Sequence, residues 1–207
     1  IAEKLDAPVA CGYQHNDSFP GKHPLAVGPL GYNGSKAAME IISKADVVLA
    51  LGTRLNPFST LPGYGIDYWP KEAKIIQVDI NSDRIGLAKK ISVGICGDAK
   101  LVAKQILGQL SSTAGDDGRE DRKALIHQTK SSWLQTLTSL DHEEDDEGTS
   151  WNKDSRERDP DRMSPRMAWR AIQAGLPDNA IISSDIGNNC AIGNAYPTFE
   201  KGRKYLA

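Results

Sequence analysis

Three stretches put small or charged residues directly after an apolar run. Gly52-Thr53-Arg54 closes the run Ala45–Arg54, Asp79 closes Ala73–Asp79, and Asp185 with Gly187-Asn188-Asn189 follows Ala180–Ser184. An open parallel sheet takes its ligands just beyond the carboxyl ends of its strands, so these exits are where chemistry is expected. Arg54 can pair a phosphate or carboxylate through two N–H groups, or it can be a surface residue at a tight strand exit. Asp79 can accept ribose hydroxyls, or it can cap the Asn81–Arg84 turn. Gly187, Asn188 and Asn189 can cradle a diphosphate with backbone N–H groups and side-chain amides, or form a turn with amide caps. Gly97-Asp98 repeats the pattern, with Asp98 suited to capping a helix.

Other chemistries lack their residues. No G-x-G-x-x-G follows any strand-like run, so the dinucleotide fingerprint is missing. Ser183 and Ser184 have no G-x-S-x-G elbow around them. His15, His23, His127 and His142 fall in no zinc spacing, and Cys11, Cys96 and Cys190 form neither a C-x-x-C pair nor an even set for disulfides. The acidic run Asp141–Glu147 lacks the glycine and alternate spacing of a calcium loop and reads as solvated surface.

The elements that would position the strand exits follow from periodicity. Ile1–Leu5 reads as the last turn of a helix and Pro8–Cys11 as a strand. Gly12–Gly34 is a long Gly-, Pro-, His- and Asn-rich loop, of a length that is usually functional or covered by a partner. Ser35–Lys44 is helical, with Ala38, Ile41 and Ile42 on one face. Asp46–Leu51 and Lys74–Ile80 are apolar without alternation, as for strands buried on both faces. Pro57, Pro62 and Pro70 make Asn56–Pro70 an extended loop. Ser82–Lys90 predicts a short helix, Ser92–Ile95 a strand, and Asp98–Leu110 a helix with Val102, Ile106 and Leu110 facing inward. Strands alternating with helices predict an α/β fold with a parallel, Rossmann-like sheet.

A small, polar stretch, Ser111–Gly118, precedes a helix over Arg119–Leu140 with Ile126, Trp133, Leu137 and Leu140 in one stripe. Thr149–Met163 is polar and charged, and reads as irregular. Ser164-Pro165 is an N-cap with proline at the first helical position. Met167, Ala168, Ala171 and Ile172 then give an apolar face, and Leu176-Pro177 ends the helix. Three regions result: residues 1–112, an α/β unit truncated at its N-terminus; 113–163, a helical and acidic linker; and 164–207, the incomplete start of a second α/β unit. The chain reads as a piece of something larger.

Composition bounds the function class. Twenty-five Lys+Arg against 27 Asp+Glu give a net charge of −2, without the basic excess of a nucleic-acid or membrane-surface protein. The aliphatic run Val47–Leu51 is far short of a bilayer span, and no signal-peptide pattern opens the chain. Free thiols suit a reducing, cytoplasmic setting.

The order of these parts resembles the middle domain and early diphosphate-binding domain of thiamin-diphosphate enzymes of the acetohydroxyacid synthase and pyruvate oxidase type. Leu51-Gly52-Thr53-Arg54, Val78-Asp79-Ile80-Asn81 with Ile85-Gly86, Gly97-Asp98-Ala99-Lys100 and Ser184-Asp185-Ile186-Gly187 carry the likeness. The loops Cys11–Ser35 and Asn56–Trp69, with Ile181–Pro197, narrow it to the branch that takes sulfoacetaldehyde and phosphate to acetyl phosphate and sulfite in taurine breakdown. The resemblance implies thiamin diphosphate and Mg2+, with the catalytic glutamate and the metal motif outside this chain, so that the segment alone is inactive. It implies Asp185, Gly187, Asn188 and Asn189 on the diphosphate side, and a homodimer or homotetramer. Some relatives hold FAD or ADP at positions matching Gly34, Arg54, Asp79 and Asp98, although the two long loops here can fill that groove. Within the family, a pyruvate-decarboxylating relative is the alternative; outside it, a nucleotide-binding module or a structural domain used for oligomer contacts.

Overall fold

The computed structural model describes residues 1–110, 118–142, 165–177, 179–185, 187, 192–193, 197–202 and 204–206. Asn188 and Asn189, the expected cap Ser164 and the segment 149–163 lie outside them, as do residues 143–147 of the acidic run.

A short helix α1 (Ala2–Leu5) ends at Asp6 in the left-handed conformation and leads into β1 (Val9–Cys11). The stretch expected to be loop throughout, Gly12–Gly34, contains a second strand, β2 (Ala26–Pro29), parallel to β1. Leu25, Ala26 and Val27 are buried, and burial of that apolar triplet overrides the Pro/Gly-rich surroundings. Helix α2 (Lys36–Ile42) follows, capped by the Ser35 hydroxyl, which accepts the Ala38 N–H at 3.2 Å.

Strands β3 (Val47–Leu51), β4 (Lys74–Asp79) and β5 (Val93–Cys96) form a parallel three-stranded sheet in that order. Register pairs Ala50 with Gln77 and Asp79 with Cys96, which brings all three carboxyl ends to one edge. The expected α/β fold with parallel sheets is what forms. The expectation that β3 is buried on both faces fails: Val47 and Leu51 are exposed, and Ala50 alone of its residues is buried. Edge position explains this, because among the described residues only β4 of this sheet has a strand on each side. The helix expected over Ser82–Lys90 reduces to one 3-10 turn, Ser82–Arg84, because Asn81 caps it through Asp83 N and Gly86 turns the chain with φ +75°. Helix α3 (Ala99–Gln109) is capped by Asp98 as expected and buries Val102.

Helix α4 (Arg119–His142) packs along α2, with Ile126 in one core beside Leu25, Val27, Leu30, Met39, Ile41 and Tyr68. Its cations take the carbonyls that end α1: Arg119 donates to Lys4 O at 2.9 Å, and Arg122 to Leu5 O at 2.9 Å and Asp6 O at 3.1 Å. Lys4 returns a bond to Leu110 O. A second small core holds Ala50, Leu55 and Ile75, and Trp69 packs against both.

Beyond α4, helix α5 (Pro165–Gly175) precedes a two-residue parallel ladder of β6 (Ile182–Ser183) and β7 (Tyr205–Leu206). The predicted helix forms; Met167 and Ile172 of its apolar face are 43% and 50% exposed, and Arg166 is buried. The strand expected to be buried over Ala180–Ser184 is shorter, and Ile181 is 62% exposed. Among the described residues β6 and β7 pair over two residues, which covers little of either element.

Candidate functional site

The edge where β3, β4 and β5 end is built from short polar side chains. Gly52 leaves β3 with φ +61°, and its N–H donates to Val78 O at 2.8 Å. A side chain there would be strained and would meet the Ala99 Cβ at 3.4 Å, so the exit of β3 lies against the start of α3. Thr53 Oγ1 accepts the Leu55 N–H at 3.2 Å. Arg54 is exposed at this edge.

The polar centre of the edge is Gln77, 1% exposed in the middle of β4. Its Nε2 donates to Thr53 O at 3.1 Å and Arg84 O at 3.2 Å, and its Oε1 accepts the Gly86 N–H at 2.8 Å. One amide therefore ties the β3 exit to the turn after β4. Asp79 is buried, and its Oδ1 accepts the Asn81 N–H at 2.9 Å. Asp98 Oδ1 accepts the Leu101 N–H at 2.9 Å. In this structure Asp79 and Asp98 carry these capping bonds.

Gly34 stands on the neighbouring loop, crowded by its own backbone: a Cβ there would lie 2.6 Å from Pro29 O. The Tyr64 hydroxyl donates to Gly34 O at 2.9 Å, and the Tyr64 ring meets Trp133 of α4 edge-on at 5.3 Å. Phe58 O accepts the Tyr32 N–H at 3.0 Å, and a Cβ on Gly31 would overlap that same carbonyl. Tyr68, 1% exposed, donates to Ser59 O at 3.1 Å. Burial pushes the Tyr68 phenol up to about 12, partly offset by the Gly31 backbone. The loop between β3 and β4 thus lies directly on residues 31–34.

The second expected site follows β6. Asp185 is exposed, and Gly187 has φ +128° with open space where a Cβ would stand. The ladder beneath it is held by Ile182 N to Lys204 O at 2.8 Å and Ser184 N to Leu206 O at 2.9 Å. The loop after β1 reaches this region. Asp17, 7% exposed, accepts the Lys204 N–H at 2.8 Å and the Tyr205 N–H at 3.2 Å on one oxygen. Asn16 donates to Pro197 O at 3.1 Å, and Gly21 N to Phe199 O at 2.8 Å.

Elsewhere, burial pushes the Cys11 thiol up, opposed by bonds from Ser18 and Phe19. Burial also lowers Lys130, which donates to His23 O and Pro24 O. Among the described residues no cluster of His, Cys, Asp and Glu could hold a metal, and no helix is long and apolar enough to cross a membrane.

A family model described as the central domain of thiamine pyrophosphate enzymes matches residues 1–106. The chain belongs to the thiamine pyrophosphate enzyme family. Across all 207 residues it is 79% identical to a probable sulfoacetaldehyde acetyltransferase of Rhizobium meliloti (strain 1021), covering 35% of that protein. It is 76% identical over 207 residues to a sulfoacetaldehyde acetyltransferase of Roseovarius nubinhibens, covering 34% of it. A probable acetolactate synthase large subunit of Methanococcus aeolicus is 29% identical over 197 residues, which take in 91% of this chain and 30% of that protein. The chain spans about a third of the length of these curated relatives.

In this member of the thiamine pyrophosphate enzyme family the central-domain edge gathers Thr53, Arg54, Asp79 and Asp98, whereas Asp185 and Gly187 belong to the separate β6–β7 ladder. Sequence reasoning missed Gln77 and Asp17. A glutamine inside an otherwise aliphatic strand, Ile75-Ile76-Gln77-Val78, was the available signal for the first, since buried amides must be paired. Nothing local marks Asp17, whose partners lie 187 and 188 residues away.

Proposed function

We propose that this chain is part of a sulfoacetaldehyde acetyltransferase, converting sulfoacetaldehyde and phosphate to acetyl phosphate and sulfite in taurine breakdown. The observation that carries this is the 79% identity to a protein of that name across the whole chain, against 29% to an acetolactate synthase subunit. Residues 1–112 are the central domain, 113–163 a linker, and 164–207 the start of the diphosphate-binding domain. The working enzyme is a cytoplasmic homodimer or homotetramer.

Thiamin diphosphate, when bound, supplies the carbanion-stabilising chemistry that such a carbon–sulfur cleavage needs. The residues at the exit of β6 fit its diphosphate: Gly187 has a backbone conformation that side chains disfavour, and among the described residues no atom crowds the side on which a Cβ would stand. Gly187 would offer its N–H there with Asn188 and Asn189, and Asp185 would shape the turn. Mg2+ would neutralise charge on the diphosphate, and no residue described in this chain is assigned as its ligand.

We also propose that the central domain holds neither FAD nor ADP. Gly34 is packed against its own loop beneath Tyr64, and Asp79 and Asp98 each cap a backbone N–H. That leaves Arg54 as the one of the four residues without such a task in the described structure.

The full-length protein, given sulfoacetaldehyde, phosphate and thiamin diphosphate, should release sulfite and form acetyl phosphate. Release of carbon dioxide from pyruvate without sulfite from sulfoacetaldehyde would move it to the acetolactate synthase reading. The 207-residue segment should do neither.

A further inference from the structure

The described residues place a carboxylate of the central domain under the ladder that ends at the diphosphate turn. Asp17 is buried, and one of its oxygens accepts two successive N–H groups, those of Lys204 and Tyr205. Lys204 directly precedes β7, and Tyr205 opens it. Lys204 O then accepts Ile182 N, Tyr205 pairs with Ile182, and Leu206 O accepts Ser184 N, one residue before Asp185. Each link is a hydrogen bond, so the position of Asp17 fixes where β7 starts, and β7 fixes the height at which β6 ends.

The neighbours of Asp17 reinforce that placement. Asn16 donates to Pro197 O, Gly21 N donates to Phe199 O, and Lys22 N donates to a Glu200 carboxylate oxygen at 3.1 Å. A side chain on Gly21 would press Thr198 Cβ at 3.0 Å. Phe199 and Tyr205, both buried, pack with ring centroids 5.6 Å apart above these bonds. Residues 16–22 therefore form a seat for Pro197, Phe199, Glu200, Lys204 and Tyr205.

We propose that Asp17 is a positioning residue for the coenzyme: through β7 and β6 it sets where Asp185 and Gly187 stand toward the diphosphate. This rests on the thiamin diphosphate reading above. Among the described residues β7 is the strand that pairs with β6, over two residues. A side-chain carboxylate accepting the N–H groups of Lys204 and Tyr205 adds a constraint on that ladder from outside it. The loop after β1 thereby couples the central domain to the next domain, and Asp17 itself touches no substrate.

The test uses the full-length protein and the variants Asp17→Ala and Asp17→Asn. The alanine variant should raise the apparent KM for thiamin diphosphate by roughly 10- to 100-fold, the range seen when an outer support of a bound group is lost. At saturating coenzyme, kcat should change little. The asparagine variant keeps an acceptor oxygen and should recover most of the lost affinity. Hydrogen exchange should accelerate in peptides covering 182–184 and 204–206, while the β3–β4 amides stay protected. Unchanged exchange and unchanged coenzyme KM in the alanine variant would overturn the proposal. If the alanine variant does not fold, the asparagine variant decides: its weaker, uncharged acceptor should speed exchange at 204–206 about tenfold, and wild-type exchange would overturn the proposal. Faster exchange in a protein whose wild type binds no thiamin diphosphate would leave the structural tie standing and remove the coenzyme reading instead.

Discussion

The Gln77 side-chain carbonyl accepts the Gly86 N–H at 2.8 Å, across the turn that leaves β4. The same amide donates backward to Thr53 O and forward to Arg84 O. Both donors and the oxygen of this amide are engaged by backbone groups that the sheet ladders leave over. A glutamine can therefore sit 1% exposed between Ile76 and Val78.

Gln77→Leu fills the same space and removes every one of these bonds. The orphaned Gly86 N–H alone should cost about 1–3 kcal/mol. Urea unfolding should show that loss as a lower midpoint with little change in slope. Gln77→Glu should be as harmful near neutral pH, because a carboxylate oxygen would face two carbonyls in place of the donating NH2.

How far the sequence carries depends on the range of the forces involved. Asp98 was legible as a cap because a cap acts within three residues. The strands of the β3–β5 sheet were legible from their apolar runs. Strand β2 was not, because four residues containing a glycine and a proline have no periodicity to read. The Ser82–Lys90 stretch misled because its apolar residues Ile85 and Leu87 have no helical spacing, and Gly86 adopts φ +75° between them. The strand exits at Arg54, Asp79 and Asp185 were legible as places in the chain. What surrounds them depends on contacts far away in sequence, as with Tyr64 over Gly34 and Asp17 beneath β7.

Two glycines should separate crowding from backbone strain. Gly31 has φ +87° and no room, since a Cβ would overlap Phe58 O and lie 2.8 Å from Ser59 Cα. Gly65 has φ +72° and nothing within 4 Å. Gly65→Ala should cost about 1–2 kcal/mol, the ordinary strain of a left-handed residue. Gly31→Ala should cost clearly more, because the loop between β3 and β4 must lift off residues 31–34. Melting temperatures of the two variants, measured side by side, check the order.

Cys96 is exposed, with its Sγ 3.6 Å from Ile80 O, and Cys11 is 7% exposed with its thiol pushed up by burial. The thiolate is the reactive form, and both access and ionisation disfavour it at Cys11. Iodoacetamide at mildly alkaline pH should label Cys96 within minutes and leave Cys11 unlabelled until denaturant is added. Peptide mass spectrometry reads the two sites separately. Comparable labelling of both in the folded protein would show that the loop after β1 opens readily.

Tyr68 gives a pH dependence with a definite sign. Its hydroxyl donates to Ser59 O in a buried site, so the neutral form is favoured in the folded state and the phenol is raised from 10.0 to about 12. A raised folded pKa means this stabilisation is complete below pH 10 and is lost as pH climbs toward 12. The loss should reach on the order of 2 kcal/mol, from the size of the shift. Ionisation would place a phenolate against the Ser59 carbonyl, loosening the loop between β3 and β4 where it lies on residues 31–34. Spectrophotometric titration should find Tyr68 ionising late, seen as the step that the wild type has and Tyr68→Phe lacks. Tyr68→Phe should remove that late step and flatten the fall in stability over this interval, at the cost of one hydrogen bond at neutral pH. A wild-type protein whose tyrosines all ionise together near pH 10, while still folded, would contradict the burial that holds this loop in place.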